Sequence, residues 1–337
     1  MIREAIQQLV EGKSLSAEEA AQVMDEIMEG QVTPAQFGAF VTSLRLKGET
    51  AEEISGLARI MRAKAVPVKV AGPVIDIVGT GGDGQGTFNI STVCLFIVAG
   101  AGLRVAKHGN RAASGKAGSA DVLEALGVKL ELTAGQVERC INEVGIGFMF
   151  APSFHPAMKY AGPPRRDIGI RTVFNILGPL TNPAGARNYL LGVADDALTE
   201  KMATVLNNLG CDHALVVHGE DGMDEMSITG KTQVYEVKKG IIENYTVSPD
   251  DFGLPEAGLD KLQGGTAEEN AALLRSILSG AKGPQRDVVL MNSAAALVAG
   301  DKAAVFQQGM DLAQESLDSG QALAKLEQLI RLTESLT

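Results

Sequence analysis

Residues 79–92 read GTGGDGQGTFNIST and directly follow the apolar run VIDIV, Val74–Val78. Glycine tolerates left-handed backbone and keeps no Cβ between the main chain and a ligand. Glycines between a strand and a helix therefore have two readings. One is a tight turn; the other is a cradle whose N–H groups meet an anion at the positive end of the next helix. From Gln85 to Ala120 there is no Asp or Glu, yet the stretch holds Arg104, Lys107, His108, Arg111 and Lys116 with Ser91, Thr92, Ser114 and Ser119. The whole chain has 41 acids against 30 Lys and Arg and a formal charge of −11, so this is a local concentration of cations in an acidic protein. Lys107 at a strand end, the helix start Asn89-Ile90-Ser91-Thr92 and the glycine loop would converge on polyphosphate. Taken singly, each residue fits a turn, a cap or a solvated basic loop equally well; the combined pattern favours an anion site.

A second constellation is HGEDGMDEMS, His218–Ser227, which follows the strand run HALVV and carries Glu220, Asp221, Asp224 and Glu225. Mg2+ takes one or two carboxylates, several waters and substrate phosphate oxygens. Adjacent acids such as Asp224-Glu225 could serve two ions, although an exposed acidic turn is the commoner meaning of such a run. A phosphate cradle elsewhere in the same sheet favours the metal.

Two nucleotide-binding loops are excluded by context. GTGGDG matches G-x-G-x-x-G, but the helix should open inside that fingerprint, and an acid should follow roughly 20 residues on to hold a ribose hydroxyl. Here the helix begins near Asn89, and no acid occurs before Asp121. A Walker A loop needs Gly-Lys-Ser/Thr, whereas Gly115-Lys116 is followed by Ala117.

The elements that must hold these residues fall into two parts. The first seventy residues read as helices, with S/T-x-x-E/Q boxes at Ser16/Glu19, Thr33/Gln36 and Thr50/Glu53 and an apolar stripe of Ala20, Val23, Met24 and Ile27. From Val74 onward, apolar runs at 74–78, 103–107, 189–194 and 213–219 alternate with helical stretches at 89–100, 119–126, 198–209 and 267–278, the pattern of a parallel sheet buried on both faces. The expected fold is α/β: a small helical domain (1–70) and a larger domain (71–337) with a largely parallel central sheet flanked by helices. The segment 169–185, broken by Gly178-Pro179 and Asn182-Pro183, reads as a helix and turn that could cross back or hinge between the parts, so a helical crossover is expected near 165–185. In such sheets ligands bind at the carboxyl ends of strands, where the glycine loop and the loops after Lys107 and Gly219 fall.

Hydrophobic residues make up 45% of the 337, normal for a globular protein, and no run is apolar and long enough to span a bilayer. The acidic balance argues against nucleic acid and anionic membranes as partners. The start MIREAIQQLVEGK lacks the apolar core of a signal peptide. Cys94, Cys140 and Cys211 are widely spaced within apolar segments, which predicts buried thiols in a cytoplasmic protein.

Together, GTGGDGQGTFNIST, VAKHGNRAASGKAGSADVLEALG, GIRTVFNILGPLTNPAG and GMDEMSITG, in that order, resemble the anthranilate phosphoribosyltransferases. The resemblance implies transfer of the phosphoribosyl group of 5-phosphoribosyl 1-pyrophosphate (PRPP) to anthranilate in tryptophan biosynthesis, with two Mg2+ ions. It also implies an active site at a hinge between the domains and a homodimer through the helical domain, with the apolar stripe as interface. An amidotransferase or synthase partner would be a separate protein. Residue by residue, it puts Gly79, Gly82, Asp83, Thr87, Asn89, Ile90, Ser91 and Thr92 at PRPP, followed by Lys107, His108, Gly109, Asn110, Arg111, Ala112, Ala113, Ser114, Gly115 and Ser119. Gly79, Asn110 and Arg165 would contact anthranilate, and Ser91, Asp224 and Glu225 the metal; Lys107, Asn110 and Arg165 would carry the catalysis. His108 is either a helper in proton removal or a structural residue of its loop. The competing readings are a pyrimidine nucleoside phosphorylase, which has no use for paired Mg2+ carboxylates, and a nucleic-acid-binding relative, which the net charge opposes.

Overall fold

The computed structural model describes residues 1–112 and 116–336. Ala113, Ser114 and Gly115 of the expected PRPP loop lie outside the described residues. Four helices open the chain: α1 (Ile2–Val10), α2 (Ala17–Met28), α3 (Pro34–Lys47) and α4 (Ala51–Lys64). All three capping boxes form, so that at α2 the Ser16 hydroxyl accepts from Glu19 N at 3.2 Å while Glu19 accepts from Ser16 N at 2.8 Å. Ala20, Val23, Met24 and Ile27 are buried within this chain, which corrects the expectation that the stripe serves as an interface. The large apolar side chains left in solvent on these helices are Val10, 68% exposed, and Leu46, 83% exposed.

The sheet begins with β1 (Ile75–Gly79), leading to α5 (Ile90–Gly100), β2 (Val105–Gly109), α6 (Ser119–Ala125), α7 (Ala134–Glu143) and β3 (Ile146–Phe150). After α8 (Ala151–Phe154), the helix α9 (Met158–Ile168) packs on α2 and α3, so the chain returns to the helical bundle earlier than the expected crossover near 165–185. Gly169, at φ 69°, ends α9. Then come α10 (Phe174–Leu177), a single turn of tighter helix, β4 (Asn188–Gly192), α11 (Asp196–Asn208) and β5 (His213–Gly219). β6 (Thr232–Lys238) and β7 (Ile241–Val247) precede α12 (Ala267–Leu278), α13 (Pro284–Ala299), α14 (Phe306–Asp318) and α15 (Gln321–Leu336).

The strand order is β3-β2-β1-β4-β5-β6-β7, parallel through β5 and antiparallel at β6 and β7. From β1 the chain builds outward to β2 and β3 on one side and later to β4 and β5 on the other. The β1/β4 boundary is therefore the switch point where the loops after two neighbouring strands part and leave a crevice. β3 and the β6–β7 hairpin were not among the expected strands. α5 packs with α13, α14 and α15, while α11 lies on β5 and β6 and touches α4. Arg62 of α4 donates to the Leu180 carbonyl and, at 3.2 Å, to Tyr189 Oη, tying the bundle to the crossover and the sheet. The three cysteines are buried and free. No helix among the described residues is long and apolar enough to cross a membrane.

Candidate active site

Gly79 at the end of β1 and Gly192 at the end of β4 are register partners at the switch point. The acidic loop lies directly on them. A Cβ on Gly79 would stand 2.3 Å from Asp224 Oδ2, and one on Gly192 only 1.6 Å from the Asp224 carbonyl oxygen. Glycine on both strands is what lets Asp224 reach the crevice. Thr80 fastens the start of the loop to β4, its N–H bonding Gly192 O at 2.9 Å and its hydroxyl accepting from Ala194 N at 3.1 Å. Gly81, Gly82, Gly84 and Gly86 then take φ of 65°, 74°, 73° and 69°, left-handed values closed to most residues. Gly81 N donates to Asp224 Oδ2 at 2.7 Å. The far half of the loop is anchored differently: Gln85 Nε2 donates to Asp221 O at 2.6 Å, Gly264 N to Gly86 O at 2.8 Å, and Thr87 bridges to Gln263.

α5 starts where the sequence placed it, at Asn89, whose side chain donates to Ala117 O at 3.1 Å and accepts from Asn270 Nδ2 at 2.9 Å. Ser91 N–H, at the positive end of α5, donates to Glu225 Oε1 at 3.2 Å. Lys107, buried in the middle of β2, donates to Ser91 Oγ at 3.2 Å and to the Ile77 carbonyl. Beneath it lies Asp76, fully buried in β1, which accepts from Asn182 Nδ2 at 2.7 Å. Neither Asp76 nor Asn182 was expected at the site. An acid inside the apolar run VIDIV was the available signal for Asp76, since a buried carboxylate needs partners.

The electrostatics are those of a site short of positive charge. Burial pushes Asp76 up to about 6 against the pull of Lys107. Burial and the neighbouring Asp83 push Asp224 up to about 6, and burial and Asp224 push Glu225 up to about 8. Burial lowers Lys107, with Asp76 and Glu225 opposing. Two adjacent enclosed carboxylates facing one lysine would be relieved by a divalent cation. Among the described residues no group of three or more His, Cys, Asp or Glu side chains could hold an ion unaided. Asp224, Glu225 and the Ser91 hydroxyl thus fit Mg2+, which keeps its waters and takes phosphate oxygens, and fit poorly an ion needing a full protein cage. Asp221 instead clasps its own turn, accepting from Ser227 Oγ at 2.6 Å and Met223 N at 3.0 Å, and Glu220 is exposed.

Other expected residues are distributed unevenly. Ile90 is buried and its N–H bonds Phe88 O, and Thr92 is fully buried with its N–H on Asn89 O. One member of the expected cation patch meets acids in space. Arg111 forks onto Glu124 at 2.7 and 3.0 Å and onto Asp121 at 3.0 Å, and Asp121 further accepts from Ala112 N at 2.9 Å. Ser119 Oγ packs on Gly109, where a Cβ would stand 2.4 Å from it. Asn110 is exposed, and its Oδ1 accepts from Arg111 N at 2.8 Å.

The guanidinium of Arg165, half-buried on α9, has no hydrogen bond or ion pair with any described residue; burial and the charge of Arg171 hold it below the usual range. Arg171, missed by the sequence reading, donates to Gly81 O at 3.1 Å. His108 Nδ1 donates to Gly178 O at 3.2 Å, the tautomer set by the carbonyl, which leaves Nε2 a buried acceptor with no partner among the described residues. Its ring lies 4.9 Å from that of His155. Burial lowers His108 to about 3 and His155 to about 4, so both are neutral at physiological pH. Between the bundle and the loop, a cavity of about 300 Å³ is lined by Arg45, Glu49, Thr80, Gly82, Arg171 and Asp195 among others.

An anion loop at a strand switch point, a buried lysine and a carboxylate pair suited to Mg2+, set beside a helical bundle, define a two-domain transferase of phosphorylated sugars. Family models agree: the helical bundle domain of a glycosyl transferase family matches residues 3–65, and the a/b domain of the same family matches residues 71–323. The chain belongs to the anthranilate phosphoribosyltransferases. It is 61% identical over 338 residues to the anthranilate phosphoribosyltransferase of Dehalococcoides mccartyi, covering 100% of this chain and 99% of that one, and 56% identical to that of Moorella thermoacetica over 99% of each. The crystal structure of the Thermus thermophilus enzyme superposes with a TM-score of 0.93 at 47% identity, covering 98% of this chain and 99% of that one. The Saccharomyces cerevisiae enzyme in complex with PRPP and Mg superposes with a TM-score of 0.92 at 30% identity, covering 99% and 98%.

Proposed function

We propose that this crevice binds PRPP with Mg2+ and anthranilate, and transfers the phosphoribosyl group to the anthranilate amine. The C1–O bond to pyrophosphate breaks, a C1–N bond forms, and the amine gives up a proton. The observation that carries the reading is the convergence of the glycine loop, the α5 N-terminus, Lys107 and the Asp224-Glu225 pair at one strand switch point. The yeast relative solved with PRPP and Mg supports the donor and the metal.

Departure of pyrophosphate leaves positive charge on the ribose ring, as in glycosyl transfer. Bound Mg2+, two ions in this reading, neutralises charge on the leaving group. The chain's own part is to hold that group still: loop N–H groups and Lys107 face the phosphates, and Ser91, Asp224 and Glu225 hold the metal. The anthranilate amine is neutral and already nucleophilic. Arg165, without any anionic partner among the described residues, binds the anthranilate carboxylate and, with Asn110, turns the nitrogen toward C1. The bare Nε2 of His108 is an acceptor for a polar hydrogen. Closure of residues 1–70 over residues 71–337 about the crossover excludes water that would otherwise capture the cation. The same reading includes a homodimer through the helical bundle, where Val10 and Leu46 are exposed, and a cytoplasmic location.

Anthranilate fluorescence followed with purified protein, PRPP and Mg2+ tests the reading. Signal loss that requires both donor and metal is expected; signal that stays constant with both present would refute it.

A further inference from the structure

Gly81 is gripped at both of its backbone polar groups by residues distant in sequence. Its N–H is held by Asp224 Oδ2 at 2.7 Å, and its carbonyl, in the Gly81–Gly82 peptide, is held by Arg171 Nη2 at 3.1 Å. The guanidinium packs so closely on Gly82 that a Cβ there would stand 1.5 Å from Nη1. Arg171 comes from the crossover, two residues past Gly169, whose left-handed backbone ends α9.

A trans peptide points its C=O and N–H in opposite directions. By drawing the Gly81 carbonyl toward the crossover, Arg171 turns the Gly82 N–H to the other side of the loop. Glycines with φ of 65° and 74° on either side of this peptide offer little steric resistance to its flipping, because both signs of φ are open to them. A flip would exchange an anion-attracting N–H for an anion-repelling carbonyl. Among the described residues, the other holds at Gly81 are the Thr80 hydroxyl, a long 3.5 Å contact to the same carbonyl, and Asp224, which the proposed function also assigns to the metal. When that carboxylate turns to its ion, the arginine is the charged and shorter hold that remains.

We propose that Arg171 is a positioning residue for the phosphoribosyl donor: it fixes the orientation of the Gly81–Gly82 peptide, so that the glycine loop presents N–H groups to the pyrophosphate. This rests on the transferase reading above. Because the arginine belongs to the crossover, it also makes the shape of the loop depend on the position of that segment.

The test compares wild type with Arg171→Ala, Arg171→Lys and Gly82→Ala in steady-state turnover with PRPP and anthranilate varied separately, alongside calorimetric titration of PRPP with Mg2+. The alanine variant is expected to raise the donor KM and weaken donor binding by roughly ten-fold or more, the scale of one charge-assisted hydrogen bond. Its anthranilate KM and Tm should stay close to wild type. Lysine, which can still donate to the Gly81 carbonyl, should recover part of the donor KM, and Gly82→Ala, which displaces the guanidinium, should reproduce the donor defect. A donor KM unchanged in Arg171→Ala, an equal rise in both KM values, or no recovery by lysine would overturn the proposal. Wild-type protein inactive with both substrates would instead overturn the transferase reading.

Discussion

Gly192→Ala tests how tightly the acidic loop is seated on the sheet. The added Cβ would lie 1.6 Å from the Asp224 carbonyl oxygen and 2.4 Å from its carbonyl carbon. Both are backbone atoms, so no rotamer change relieves the clash. The separation must grow from 1.6 Å to the 3.0 Å below which real Cβ contacts are essentially absent, a displacement of about 1.4 Å at Asp224. Overpacking of this kind costs about 1–3 kcal/mol, a few degrees of Tm for a chain of this size. A shift of about 1 Å in a positioned group can cost roughly 100-fold in rate. Turnover should therefore fall by roughly 100-fold or more, with a weakened response to Mg2+, while Tm falls only a few degrees. Gly79→Ala meets the Asp224 carboxylate rather than its backbone, at 2.3 Å. The side chain can swing aside, so this variant should keep its Tm and lose mainly Mg2+ dependence. Gly135→Ala, on α7 with nothing within 4 Å of the new methyl, is the control and should leave turnover unchanged. Wild-type turnover and Tm in Gly192→Ala would refute the seating of the loop.

Two further predictions concern Arg165 and His155. Arg165→Ala should raise the anthranilate KM by roughly ten-fold or more with little change in the PRPP KM, since the side chain has no partner among the described residues to lose; equal effects on both substrates would remove it from the acceptor site. His155 lies at about 4 in the fold, below the roughly 6.5 of a free histidine, so the unfolded chain takes up a proton that the folded chain refuses. Its contribution is intact above pH 6.5 and is lost as pH falls toward 4, at about 1.4 kcal/mol per pH unit. Asp76, Asp224 and Glu225, all raised, gain stability over the same acidification and mask this in the wild-type profile. The readout is therefore a difference: the Tm of His155→Gln relative to wild type should rise steadily as pH drops from 6.5 to 4. A difference independent of pH would mean that His155 is protonated in the fold.

What could be read from the sequence was local. Capping boxes, the glycine loop, the helix start at Asn89 and the Asp224-Glu225 pair each rest on residues adjacent in the chain, where hydrogen-bond chemistry at fixed offsets determines the result. β3 escaped because IGFMF follows α7 after only Val144-Gly145 and, buried along most of its length, has no alternation to mark it. The β6–β7 hairpin did leave a signal: two alternating runs joined by Lys239-Gly240, whose φ of 51° and 86° suit a two-residue hairpin turn. Asp76, Asn182, Arg171 and Gly192 were illegible as site residues for a different reason. Each acts through a partner dozens of residues away, and their local texture reads as strand, turn or loop. The Arg111 ion pairs show the same limit from the other side. A stretch without acids still meets acids in space, because Asp121 and Glu124 on α6 fold back over it.

The most direct test of the account is turnover by the double variant Asp224→Asn with Glu225→Gln, measured by anthranilate fluorescence across a Mg2+ titration. The substitutions keep shape and remove two carboxylates that burial raises, Asp224 also beside Asp83 and Glu225 also beside Asp224, so Tm without substrate should hold or rise. Turnover should drop by roughly 100-fold or more at every Mg2+ concentration, the scale of losing a main electrostatic contact at the leaving group. A double variant with normal fold and near-normal Mg2+-dependent turnover would contradict the account and reduce the acidic loop to a structural turn.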